Sequence, residues 1–156
     1  MRPFLVSLCL VLLAACSGNG QGLDENGRPI GEGGGGALSA DFQSIQDHVF
    51  TPICTECHAG ASAPQGLDLT QGHSYGLLVN VPSNEVPSFL RVAPGDPNNS
   101  YLIQKLEGTA AVGQQMPEGC PVTRPCLDAE TIAVIRQWIA NGAAPPASAS
   151  AAGGGS

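Results

Sequence analysis

The sequence predicts an all-α domain, and three stretches carry that prediction. Phe42, Ile45, Val49 and Phe50 recur at i, i+3, i+7 and i+8, which gives one apolar face on a short helix. Tyr101, Leu102, Lys105 and Leu106 read as a middle helix, and Ile132, Ile135, Trp138 and Ile139 form the stripe of a closing one. Between the first and second of these stands Cys54-Thr55-Glu56-Cys57-His58, around which the rest of the chain is organised.

The chemistry of that motif explains its spacing. Two thiols three positions apart on a tight turn can each add to one of the two vinyl groups of a single haem, and the imidazole that follows reaches the iron as proximal ligand. A dithiol redox site would want a βαβ context, which is not visible nearby. A structural zinc site would want a second pair at similar spacing, and Cys120 and Cys126 are too far apart for the usual knuckle. The expected cofactor is one covalently attached haem c.

Composition agrees with a domain that folds around such a body. The chain has 156 residues, enough for one domain plus appendages. Aromatics are 4% and charged residues 12%, against 21 Gly and 13 Pro, so large side chains for a dense core are scarce. A haem would supply the missing apolar bulk. The net charge of −7, with six Lys and Arg and no basic cluster, argues against nucleic acid as a partner. No apolar run of about 18 residues follows the N-terminus, so no ordinary transmembrane helix is expected.

Residues 1–15 read as an export signal, with Arg2 as the positive start and Phe4 to Leu13 as the apolar stretch. The end, Leu13-Ala14-Ala15-Cys16, resembles the lipobox of bacterial lipoproteins. That resemblance implies cleavage before Cys16 and lipidation of its thiol. Several acyl chains anchor a protein firmly, whereas one gives only marginal binding. Ser17 after the Cys, rather than Asp, favours the outer membrane by the same resemblance. The expected location is the cell envelope, lipid-anchored and facing the periplasm. Residues 16–38 carry Gly33-Gly34-Gly35-Gly36 and almost nothing apolar, a tether reaching on the order of 25 Å.

The folded domain is expected over 39–142, with Ser39 as N-cap of the first helix and Pro52 breaking that helix before the Cys motif. Ala59 to Thr70 is loop-like, Ser74 to Asn80 a short helix, and Val81 to Pro97 a proline-punctuated loop. Asp96-Pro97 offers an N-cap followed by proline at the first helical position, and Gly108 a helix stop. Met116, in Gln115-Met116-Pro117, is the one methionine left after signal cleavage. Its thioether is a soft, neutral ligand that would raise the potential of an iron centre. His48, on the first helix, and His73, in a polar loop, read as surface histidines. Cys120 and Cys126 close a short loop, and in an exported protein the simple reading is a disulfide. Asp128 caps the last helix with Glu130 in its first turn, and Asn141-Gly142 ends it. The small-residue tail, 143–156, is expected to be disordered.

From Ser39 to Gly142 this order of parts resembles a small class I cytochrome c: opening helix, C-x-x-C-H, loops, middle helix, Met-Pro segment, closing helix. The resemblance implies three main helices wrapped around one covalently bound haem. It implies thioethers at Cys54 and Cys57, and His58 and Met116 as axial ligands. It further implies a proline carbonyl, here that of Pro64, accepting the proximal imidazole's N–H. The implied function is not an enzyme's but that of an electron carrier, docking transiently on redox protein donors and acceptors. The acidic balance then predicts a basic docking face on those partners. Two features depart from the class: the opening helix lacks the glycine that lets the terminal helices cross closely, and the Cys120–Cys126 loop is no general feature. The alternative function is a haem-based sensor or peroxide-type catalyst, which requires an open or labile axial position. The only nearby polar groups for that chemistry are Gln114 and Gln115.

Overall fold

The computed structural model describes residues 37–146. The expected export signal, Cys16, the tether up to residue 36 and residues 147–156 of the tail lie outside that range. Every regular element among the described residues is helical, so the domain is all-α. In order these are α1 (Phe42–Ile45), a π-helical turn (Gln46–Phe50), α2 (Thr51–Ile53) and a 3₁₀ turn (Cys54–Glu56). A 3₁₀ turn (Pro64–Gly66), α3 (Ser74–Leu78), α4 (Tyr101–Glu107) and α5 (Ala129–Ala140) follow.

The first four of these run on without a break and deliver the Cys motif at their end. The N-cap is Asp41, not Ser39. Asp41 has extended backbone, and its carboxylate accepts from the Ser44 N–H at 2.9 Å. The Ser39 hydroxyl donates to Asp41 instead, bracing the cap from outside. Pro52 does not break the helix either. A proline inside an α-helix removes one bond and drives its ring into the carbonyl four residues back. Here the turn upstream widens to π geometry, with the Thr51 N–H reaching the Gln46 carbonyl. Pro52 thereby falls in the first turn of α2, where its missing N–H costs little.

The middle of the chain is held by short backbone pairings rather than by strands. The Phe89–Val92 stretch bonds on one side to Leu78–Ser83 (Arg91 N to Val81 O, 2.7 Å) and on the other to α4's start (Leu102 N to Arg91 O, 2.9 Å). Asp96-Pro97 does not start the helix. The Asp96 carboxylate accepts from Asn99 to close a turn, and α4 begins at Tyr101. Gly108 ends α4 in the left-handed region at φ 71°, as expected of a C-terminal glycine.

The core lies between the opening and closing helices. Phe42 stacks at a tilt on Trp138, ring centroids 5.4 Å apart, and edge-on against Tyr75 at 5.1 Å. Ile45, Leu78, Ile135 and Ile139 are fully buried around them. The terminal helices therefore meet through aromatic rings where a glycine crossing would bring backbones together. Asp128 caps α5 as expected, accepting from the Thr131 N–H at 2.7 Å. Packing continues beyond Gly142: Ala143 is fully buried.

Candidate functional site

His58 is positioned by its own backbone. Its N–H donates to the Cys54 carbonyl at 2.8 Å, and its carbonyl accepts from Leu69 at 2.8 Å, so the turn and the following loop share one anchor. The ring's Nδ1 lies 3.0 Å from the Leu67 carbonyl oxygen. A carbonyl only accepts, so Nδ1 carries the proton, which in the neutral ring leaves the lone pair on Nε2. That is the tautomer a metal-binding imidazole needs. The acceptor is Leu67 and not Pro64, whose carbonyl accepts from the Leu67 N–H at 3.1 Å.

The side chains of Cys54, Cys57, His58 and Met116 all line one cavity of about 390 Å³, within the ~300–1,000 Å³ of small-molecule sites. Most of its wall is apolar, built by Ile53, Leu67, Leu69, Leu78, Leu102 and Leu106. Pro64 also reaches the wall, as does Gln114. Met116 is half-buried against the core, and its N–H donates to the Lys105 carbonyl at 2.8 Å, tying the segment to α4.

Burial pushes the Cys54 thiol up to about 12, with Arg124 pulling weakly the other way. A reactive dithiol needs the opposite, a thiol lowered toward neutral pH. Cys120 and Cys126 are bonded to each other at 2.14 Å, so neither is free to complete a zinc site with Cys54 and Cys57. His48 and His73 stand apart from the cavity wall. His48 is exposed on the π turn beside the Ser44 carbonyl, and His73 is exposed and paired with Asp68 at 3.0 Å.

Several groups at the site carried no sequence signal. Arg91 is buried, lines the cavity, and donates to the carbonyls of Leu77 (2.8 Å) and Gln65 (2.7 Å). Among the described residues no carboxylate pairs with it, and burial lowers its pKa from the usual guanidinium range. Lys105 and Glu85 form an ion pair at 3.1 Å on the same wall. Gln46, buried in the π turn, donates to the Leu69 carbonyl at 3.0 Å and accepts from Ser74, fastening the opening helix to the loop that holds His58. At the outer edge, Arg124 of the disulfide loop pairs with Glu56 of the Cys motif. Compared with family models, curated proteins and solved structures, the chain matches none.

Proposed function

We propose that the chain is an electron carrier, a lipid-anchored monohaem cytochrome c of the cell envelope. One observation carries the reading: an imidazole in the metal-binding tautomer, a lone thioether and two neighbouring thiols share one largely apolar cavity. The residues present fit a covalently attached haem. Cys54 and Cys57 would hold it through thioethers, and His58 Nε2 and the Met116 sulfur would ligate its iron. Arg91, a buried cation without a carboxylate partner among the described residues, fits a ligand that itself bears acid groups. Bound there, the haem would supply one-electron chemistry, with iron passing between ferrous and ferric. The chain's own part would be to offer the iron both His58 and Met116, leaving no place for a substrate on the metal. The Leu67 carbonyl holds the imidazole's orientation, and the leucine-rich wall excludes water. Lipidation at Cys16 would keep the domain at a membrane, where its donor and acceptor proteins would meet it.

The test is an absorption spectrum, oxidised and reduced, of the full chain matured with haem in a periplasm. The expected result is a sulfur-to-iron charge-transfer band in the ferric form, absent from Met116→Ala. A high-spin ferric spectrum, or ready carbon monoxide binding by the native ferrous form, would overturn the carrier in favour of a sensor or catalyst. A protein without haem, from a host that matures other cytochromes c, would overturn the cofactor itself.

A further inference from the structure

The segment that presents Met116 is zipped back along the helix it has just left. After Gly108 the chain reverses, and five bonds return it to α4, one of them from the Ala110 N–H to the Gln104 carbonyl at 3.2 Å. The Thr109 N–H reaches the Gln104 carbonyl (2.9 Å), and the Tyr101 hydroxyl reaches the Val112 carbonyl (2.7 Å). The Gln115 amide reaches the Leu106 carbonyl (2.9 Å), and the Met116 N–H the Lys105 carbonyl (2.8 Å). Lys105 thus holds Met116 through its backbone. Its side chain does something further. The ammonium crosses under the segment to Glu85 at 3.1 Å, nearly shielded from water, and lies 5.8 Å from the centre of the Tyr101 ring.

The crossing point is Gly113. Its φ is +74°, and a Cβ added there would collide with both Glu85 Oε1 and Lys105 Nζ. The backbone at Gly113 therefore rests directly on the ion pair, three residues before Met116. Glu85 is itself fixed, since the Ser83 hydroxyl accepts from the N–H groups of Glu85 and Val86. Lys105 is buried while Glu85 keeps some exposure, so removing Glu85 leaves a buried ammonium stranded. The pair's position under the methionine segment, rather than at a free surface, gives it a use.

We propose that Glu85, Lys105 and Gly113 form a clamp that positions Met116 in the cavity. Glu85 and Lys105 are positioning residues acting through the segment 112–116. This rests on the reading of Met116 as an axial ligand. A thioether is a weak ligand, and its retention depends on how little the segment can move once it lets go. The clamp limits that movement from the α4 side, and just past Met116 the Cys120 N–H donates to the Pro117 carbonyl at 3.1 Å.

The experiment uses the full chain matured with haem, as wild type, Glu85→Gln, Gly113→Ala and the charge-reversed pair Glu85→Lys/Lys105→Glu. Three quantities are read: the ferric charge-transfer band, the midpoint potential and carbon monoxide binding to the ferrous form. Haem content and far-ultraviolet circular dichroism report the fold alongside. The expected result is a weakened band, faster carbon monoxide binding and a lower potential in Glu85→Gln and Gly113→Ala, with haem content and helicity unchanged. Each tenfold loss of sulfur retention in the ferrous form relative to the ferric lowers the potential by about 59 mV. The reversed pair restores the band, which a merely space-filling role would not predict. Wild-type band and potential in Glu85→Gln or Gly113→Ala would overturn the clamp while leaving Met116 as ligand. If Glu85→Gln fails to fold, the reversed pair decides: a folded protein without the band overturns the clamp, and one with it supports the clamp. A wild-type protein that holds haem without the band would instead overturn the ligand reading beneath it.

Discussion

The indole Nε1 of Trp138 donates to the carbonyl of Ala144 at 3.0 Å, so the last core side chain of α5 is tied to the segment that follows it. The Tyr75 hydroxyl reaches the carbonyl of Ala143 at 3.0 Å, and the Ala143 N–H returns to the Trp138 carbonyl at 3.0 Å. These bonds place the working end of the fold past Gly142, where helix-stop signals alone would put it. A chain truncated after Gly142 is expected to lose about 3 kcal/mol, since each of these three hydrogen bonds contributes roughly 1 kcal/mol. Truncation after Pro146 should be neutral. Urea unfolding of the two truncations, with haem content matched, checks this.

Arg91 braces the cavity wall by spanning two carbonyls, at Gln65 in the Pro64–Gly66 turn and at Leu77 in α3. Hydrogen bonds from a charged donor contribute about 1.5–3 kcal/mol each, offset in part by the cost of burying the guanidinium. Arg91→Met is expected to destabilise the domain by about 3 kcal/mol and to lower the yield of haem-loaded protein. Arg91→Lys should recover little, because one ammonium cannot reproduce the planar fork that meets both acceptors. Equal stability of Arg91→Lys and wild type would show that the charge alone matters.

Asp68 sets an acid limit on stability. Its carboxylate accepts from the backbone and hydroxyl of Thr70 and pairs with His73, which lowers it from 3.8 to about 2. A carboxyl depressed in the folded state contributes stability that is present above its unfolded value. That stability is lost as pH falls through the folded one. The loss attributable to Asp68 therefore lies between about pH 4 and pH 2. Asp68→Asn should be less stable than wild type near pH 5 and should lose less on acidification across that window. Parallel melting curves for the two proteins would refute the assignment.

What the sequence made legible was whatever a side chain advertises. The Cys-x-x-C-H spacing, the lone Met116, the α5 stripe with its Asp128 cap and the stop at Gly108 are all signals of residue type at fixed spacing, and the structure has an element or a cavity wall at each. What stayed hidden acts through backbone or through distant pairing. The Leu67 carbonyl that orients His58 could belong to any residue, so the proline rule pointed three positions too early. Pro52 read as a helix break because the π turn that accommodates it has no composition of its own. Ser39 and Asp41 are both good N-caps, and only the backbone geometry separates them. The Glu85–Lys105 pair joins a loop read as irregular to a helix read as amphipathic, twenty positions apart, and nothing local to either marks the meeting.

Charge makes the last prediction. Each of the four Lys and Arg side chains among the described residues is committed: Arg91 is buried, and Lys105, Arg124 and Arg136 are paired with Glu85, Glu56 and Glu107. Asp41, Asp47, Asp96, Glu118, Asp128 and Glu130 have no such cation, and Glu118 stands on the cavity wall itself. An approaching redox reagent therefore meets the field of a domain of net charge −6, four cations against ten carboxylates among the described residues. Screening shortens the reach of that field from about 30 Å at 0.01 M salt to about 10 Å at 0.1 M. Stopped-flow oxidation by a cationic metal complex should slow several-fold over that range, while oxidation by an anionic complex of similar potential should quicken. Glu118→Lys should shrink both slopes, because it reverses a charge beside the cavity without touching the residues that would hold the haem. Rates indifferent to salt for both reagents would mean that electrons leave by another face.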